Sequence, residues 1–191
     1  MNTLTIDSLE LKGKKVLVRC DFNVPLDDEL KIRDDKRIVD ALPTIKKVIK
    51  EGGKLILMSH FGRPKGSVVP EMSLKPVAER LGELIKKRVV LAPDCIGDEV
   101  KALVDAMKDG DVVLLENLRF REEEEAGDEQ FAAKLAELGE IYISDAFGVC
   151  HRAHASVSII AKYFDRVASG YLLKKEIEYI GGAMKDPKRE P

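Results

Sequence analysis

The stretch Asp34-Asp-Lys-Arg-Ile-Val-Asp-Ala-Leu-Pro-Thr-Ile-Lys-Lys-Val-Ile-Lys50, followed by Glu51-Gly-Gly-Lys-Leu-Ile-Leu-Met-Ser59, carries two periodicities in succession. Its first part sets Ile38, Leu42, Ile45, Val48 and Ile49 on one helical stripe, with two aspartates at the positive end and lysines toward the negative end. Gly52-Gly53 is a natural helix stop. Residues 54–59 then form a continuous apolar run, the pattern of a strand covered by helices on both faces. Helix, stop and strand together make one step of a βαβ unit.

The same step recurs on either side, about every 30 residues, the length of a βαβ unit. Strands are expected at 15–20, 54–59, 89–91, 111–116, 141–145 and 167–170. Helices are expected at 34–50, 74–87, 98–108 and 128–138, and a last one at 172–180 ending at Gly181-Gly182. The predicted fold is therefore a three-layer α/β/α, doubly wound, Rossmann-like domain with a six-stranded parallel sheet spanning 1–170. Residues 171–191 read as a helix followed by a charged, proline-bearing tail with no apolar partner, a frayed end or a severed linker.

The composition agrees. Of 191 residues 45% are apolar and 35% charged, so the chain is globular rather than disordered or fibrous. A net charge of −2 gives no reason to expect nucleic acid or a membrane as partner, and any anion site must be local. No apolar run approaches the ~20 residues of a spanning helix, and the N-terminus lacks the pattern of a secretory signal. Three cysteines with no CxxC fit reduced thiols, so a cytoplasmic location is expected.

In an open parallel sheet, ligands bind where the loops leave the C-terminal ends of the strands. Those loops hold Arg63, Arg119, Arg121 and Arg152 together with all three histidines, His60, His151 and His154. Arginine presents a planar fork that fits carboxylate or phosphate oxygens in pairs, so an acidic chain gathering such groups on one edge points to a small-anion site. Any one of these arginines taken singly also reads as a solvated loop charge. Arg37 is a separate case: a cation at a helix start opposes the local dipole, which suggests a role, yet pairing with Asp34 or a neighbouring acid explains it equally well. Cys150-His151-Arg152-Ala153-His154 lacks the further ligands of a zinc site, and no metal is expected. Glu122-Glu-Glu-Glu125 reads as a solvated acidic surface. Neither G-x-x-x-x-G-K-[ST] nor G-x-G-x-x-G occurs, so no phosphate-loop or dinucleotide motif supports nucleotide binding.

Val18-Arg-Cys-Asp-Phe-Asn-Val-Pro25, Asp34-Asp-Lys-Arg-Ile38, Ala41-Leu-Pro-Thr-Ile45, Ser59-His-Phe-Gly-Arg-Pro-Lys-Gly66, Glu116-Asn-Leu-Arg-Phe120, Asp145-Ala-Phe-Gly148 and His151-Arg-Ala-His-Ala-Ser156 follow one another with family-like spacing over almost the whole chain. Through these motifs the chain strongly resembles the N-terminal domain of phosphoglycerate kinase. The resemblance implies a phosphotransferase with a carboxyl-group acceptor, moving a phosphoryl group reversibly between 1,3-bisphosphoglycerate and ADP to give 3-phosphoglycerate and ATP. It also implies a glycerate site built from Asp21, Asn23, His60, Arg63, Arg119 and Arg152, with Phe22 shaping its loop and Phe61 and Gly62 in the same set. Arg37 matches the family's catalytic arginine, which stabilises charge on the group in flight. Departures are small: Cys20, Lys36, Phe61, Val149 and Cys150 replace commoner residues.

Family members carry a second domain, which holds the Mg-ATP or Mg-ADP, and this sequence stops near where that domain would begin. The expectation is that this chain is the 3-phosphoglycerate-binding half, partnered by a complementary C-terminal domain and inactive alone. The other reading is a stand-alone anion-binding or regulatory module that has lost catalysis. Retention of Arg37 favours the half-enzyme, since a simple binder has little use for a group aimed at the transferred phosphoryl. A doubly wound domain unrelated to this family finds no support without glycine motifs.

Overall fold

The structure, a computed structural model, describes residues 4–146 and 154–172. Its strands are β1 (Leu4–Thr5), β2 (Lys15–Arg19), β3 (Lys54–Met58), β4 (Val89–Leu91), β5 (Val112–Leu114), β6 (Ile141–Ser144) and β7 (Val167–Ser169). All pairings within the sheet are parallel, in the order β1-β7-β6-β2-β3-β5-β4. The sheet thus has seven strands rather than the predicted six. The extra one, β1, is two residues long and pairs only with β7, so its few side chains hold too little periodicity to be read from sequence.

The helices are α1 (Lys36–Lys50), α2 (Lys75–Ile85), α3 (Asp98–Asp105), α4 (Glu122–Ala126) and α5 (Glu129–Ala136). Alternate residues of each strand feed opposite layers. Val16 and Val18 of β2, Leu55 and Leu57 of β3 and Ile141 and Ile143 of β6 pack with Ile38, Ile45, Val77 and Leu81 of α1 and α2. Leu17, Ile56, Met58 and Tyr142 pack on the other face with Val100, Val104, Phe131 and Leu135 of α3 and α5. Two apolar layers around one sheet give the expected α/β/α sandwich, and they explain why the strand interiors are apolar without alternation.

Two local features refine the sequence reading. Pro43 lies inside α1, where it removes one backbone donor. It faces solvent, as does Val39, whose carbonyl would have received that donor. The expected helix at 172–180 lies, except for its first residue, outside the described residues. Among the described residues no helix is long and apolar enough to cross a membrane.

The strand order reverses between β2 and β6: the chain winds outward from β2 through β3 to β4 at the edge, sets β5 between β3 and β4, then returns to lay β6 on the other side of β2. Loops leaving the ends of strands at such a reversal splay apart and open a crevice.

Candidate functional site

On the β3 side of this reversal, three loops are tied to one another. After β2, Asp21 Oδ1 accepts from the Asn23 amide at 3.1 Å, a local turn, and Asn23 Oδ1 accepts from the Gly62 amide at 2.9 Å in the loop after β3. Ser59 Oγ accepts from the Phe22 amide at 2.9 Å. Asn117, fully buried after β5, is the third tie: Oδ1 accepts from the amides of Phe61 and Arg119 at 3.0 Å each, and Nδ2 donates to the carbonyls of Phe61 and Met72. A buried amide with its donors and acceptor satisfied holds two loops in one register.

Between these loops opens a cleft of about 520 Å³ lined by Asn23, His60, Gly62, Arg63, Lys65, Arg119 and Glu125. Its size suits a small ligand. Three cationic side chains face one carboxylate there, so the cleft is locally positive in a chain whose net charge is −2. Arg119 is almost buried; its Nη1 lies 3.5 Å from the Gly62 carbonyl and its Nε 3.9 Å from Glu125. Arg63 and Lys65 are exposed. Lys65 has a left-handed backbone (φ 57°), uncommon for a residue with a Cβ, and is followed by Gly66 at φ 81°. Gly66 cannot be otherwise, because a Cβ there would lie 2.8 Å from the Glu122 Cβ and 3.1 Å from its Cα.

Beside the cleft, Arg37 near the start of α1 donates through Nη1 to Asp21 Oδ2 at 2.7 Å. It pairs with an acid, as the ordinary reading allowed, but the acid is in the loop after β2 and is not its helix neighbour Asp34. Arg37 is half-exposed, so the pair anchors the guanidinium at the rim without burying it.

The remaining expectations divide. Phe22 and Phe61 direct their rings into the apolar layer beneath the loops, leaving only their backbones at the site. Arg121 turns away to a two-pronged pair with Asp94. His154 is described but does not line the cleft. Arg152 and His151 lie outside the described residues. Asp145 is buried and accepts from the Leu172 amide at 3.0 Å, so it holds the chain after β7. Cys20 and Cys95 are buried, and burial pushes both thiols well up, the opposite of an activated nucleophile. Among the described residues no group of three or more His, Cys, Asp or Glu side chains is placed to hold a metal.

Behind the cleft lies a network that sequence reading missed. Arg19, the last residue of β2, is fully buried; Nε donates to Ser156 Oγ at 3.0 Å, Nη1 to the Cys20 carbonyl, and Nη2 meets His60 Nδ1 at 3.1 Å. Ser156 in turn donates from its amide to Glu124 Oε1 at 2.7 Å and from its hydroxyl to Glu124 Oε2, while Tyr142 Oη donates to the Ser156 carbonyl at 2.8 Å. Glu124 is therefore no part of a solvated surface. Within the acidic run, Glu122 and Glu125 are exposed but Glu124 is wholly buried, because the short α4 turns it inward toward Ser156. Helical spacing within the run was the available signal, and no apolar neighbour marked which glutamate faces in.

The family model described as phosphoglycerate kinase matches residues 6–191. The chain belongs to the phosphoglycerate kinase family. Phosphoglycerate kinases of Chlorobium limicola and Chlorobaculum tepidum are 56% and 57% identical to it over 189 residues, 99% of this chain and 48% of theirs. Among solved structures, phosphoglycerate kinase from Coxiella burnetii superposes with a TM-score of 0.87 at 37% identity, covering 98% of this chain and 46% of the other. That from Pyrococcus horikoshii gives 0.85 at 30%, covering 94% and 45%. The chain thus spans about half the length of the phosphoglycerate kinases it matches. The family expected from the ordered motifs holds on all three comparisons, and the α/β fold expected from the periodicity holds on the parallel sheet and the solved structures.

Proposed function

We propose that this chain binds 3-phosphoglycerate and 1,3-bisphosphoglycerate as the glycerate half of a cytoplasmic phosphoglycerate kinase, moving a phosphoryl group between 1,3-bisphosphoglycerate and ADP once a complementary nucleotide domain is supplied. The observation that carries the reading is the cleft itself: Arg63, Lys65 and Arg119 line it with His60 and Asn23 where the loops after β2, β3 and β5 meet, and the Asp21–Arg37 pair stands beside it. Guanidinium forks take carboxylate or phosphate oxygens two at a time, Asn23 and His60 supply directional hydrogen bonds, and Asp21 fixes where Arg37 stands. Arg152, on the strength of its motif, is assigned to the same anion.

Arg37 is the catalytic residue in this proposal. Half-exposed and anchored by one nitrogen, it keeps further N–H donors available for charge that develops on a transferred phosphoryl. We assign the Mg-nucleotide to the complementary domain, and this chain's share of the reaction is to bind, orient and neutralise. Closure of a second domain is needed to bring the reacting atoms into line and exclude water, so the chain alone does not turn over.

Calorimetric titration of 3-phosphoglycerate into the 191-residue chain, repeated with Arg63→Ala and Arg37→Ala, tests the proposal. Saturable binding is expected, weakened roughly 10- to 100-fold by Arg63→Ala, since a charge-assisted hydrogen bond is lost. Arg37→Ala is expected to retain most of the binding but to abolish turnover in a coupled assay once a nucleotide domain and Mg-ADP are added. Lack of any saturable binding, or full turnover by the chain alone, overturns it.

A further inference from the structure

We propose that Arg19 is a positioning residue that holds His60 as its Nε2–H tautomer, with Ser156 and Glu124 as its anchor. The inference rests on the glycerate-site reading of the cleft that His60 lines.

Arg19 is fully buried and points its nitrogens at Ser156, at the Cys20 carbonyl and at His60, so it is not placed to touch a ligand. A guanidinium has donors and no acceptor. Where its Nη2 meets His60 Nδ1 at 3.1 Å, the imidazole nitrogen must be the acceptor and carries no proton. The single proton of the neutral ring is then on Nε2, so the imidazole that lines the cleft carries a donor and not an acceptor at that nitrogen. An anion's oxygen needs a donor, so this tautomer suits the ligand and the opposite one does not.

The geometry of Arg19 is in turn imposed. Ser156 Oγ accepts from Arg19 Nε and donates to Glu124, a hydroxyl relaying between a buried cation and a buried anion. The second oxygen of Glu124 is held by the Ser156 amide, and Tyr142 holds the Ser156 carbonyl. Three elements meet here: the end of β2, the start of α4, and the turn after β6. Among the described residues, the guanidinium's counter-charge comes through Ser156, and Nη2 goes to the imidazole.

Nitrogen-15 NMR of the imidazole in the 191-residue chain reads the tautomer directly, because a bare and a protonated ring nitrogen resonate far apart. At neutral pH the wild-type chain is expected to show His60 with Nδ1 bare and Nε2 protonated. Ser156→Ala removes the relay, and the expected result is a mixed-tautomer spectrum with 3-phosphoglycerate affinity reduced roughly 3- to 10-fold, the size of one net hydrogen bond. Arg19→Lys keeps the charge but cannot span Ser156 and His60 together, and is expected to shift the tautomer likewise. A wild-type His60 protonated on Nδ1 overturns the proposal, as does a spectrum unchanged by either substitution. Should one variant fail to fold, the wild-type spectrum and the other variant still decide. A wild-type chain with the expected tautomer that binds no 3-phosphoglycerate overturns the glycerate reading instead, and leaves the assignment of Arg19 to the tautomer shift alone.

Discussion

Lys15 and Arg19 stand at the two ends of the same five-residue strand, on the same face, with the same charge, and are used in opposite ways. Lys15 opens β2 at the rim away from the cleft and reaches a half-exposed Asp105 at 2.6 Å. Around it the rim is made of similar lysine–carboxylate pairs, Lys14 with Glu140 and Lys47 with Glu51. Arg19 closes the strand at the cleft rim and has no exposure at all; among the described residues its counter-charge, Glu124, is reached through Ser156. One end is held by ion pairs that water largely screens. At the other, each charge depends on every hydrogen bond around it, because none can be exchanged for solvent. The difference lies in what each side chain can do: a buried planar guanidinium offers several directed donors, whereas an exposed lysine acts as a solvated point charge.

The sharpest way to break this contrast is to remove each cation in turn. Arg19→Met strands the buried Glu124 carboxylate and is expected to lower the unfolding free energy by about 3–5 kcal/mol in urea titration. Equal losses from Arg19→Met and Lys15→Met would show that burial does not separate the two ends. Next in size, Gly66→Ala forces a Cβ against the Glu122 backbone at a left-handed position, and should cost about 1–3 kcal/mol while displacing the Lys65 wall of the cleft. A variant as stable as the parent, measured the same way, would show that the loop shifts without strain. Lys15→Met itself should change stability by less than about 1 kcal/mol.

The smallest effect concerns acid. The hydrogen bond from Lys15 holds the Asp105 carboxyl below its ordinary value of 3.8. A carboxylate depressed in the folded state contributes stability above its unfolded pKa and loses it as the pH falls through the folded one. Asp105→Asn should therefore leave stability near neutral pH slightly lower and flatten its fall below that value, as followed by circular dichroism against pH. An acid limb identical in parent and variant would mean that the pair is already open in solution.

Much of this molecule is legible from residue order. The stripe on α1 and the apolar runs of β3, β4 and β6 announce their elements because covalent spacing sets which side chains share a face, and helix or strand follows from that spacing within a few residues. The chemistry of the loops was visible too, since arginines and histidines are scarce enough in an acidic chain for their clustering to register. The two-residue β1 was not, because its pairing with β7 is a property of residues more than 160 positions apart and leaves no local trace. Nor was the sorting of the arginines: Arg63 and Arg119 face the cleft, Arg121 is captured by Asp94, and Arg37 reaches across to Asp21.

Residue order alone, then, established the α/β architecture and the family. Folding decided which of four neighbouring glutamates is buried, which arginine supports rather than contacts, and which nitrogen of His60 is left to hold the proton. Those are outcomes of desolvation and donor–acceptor matching among groups brought together from distant parts of the chain. Such matching exists only once the chain has folded, so no local pattern of residues encodes it.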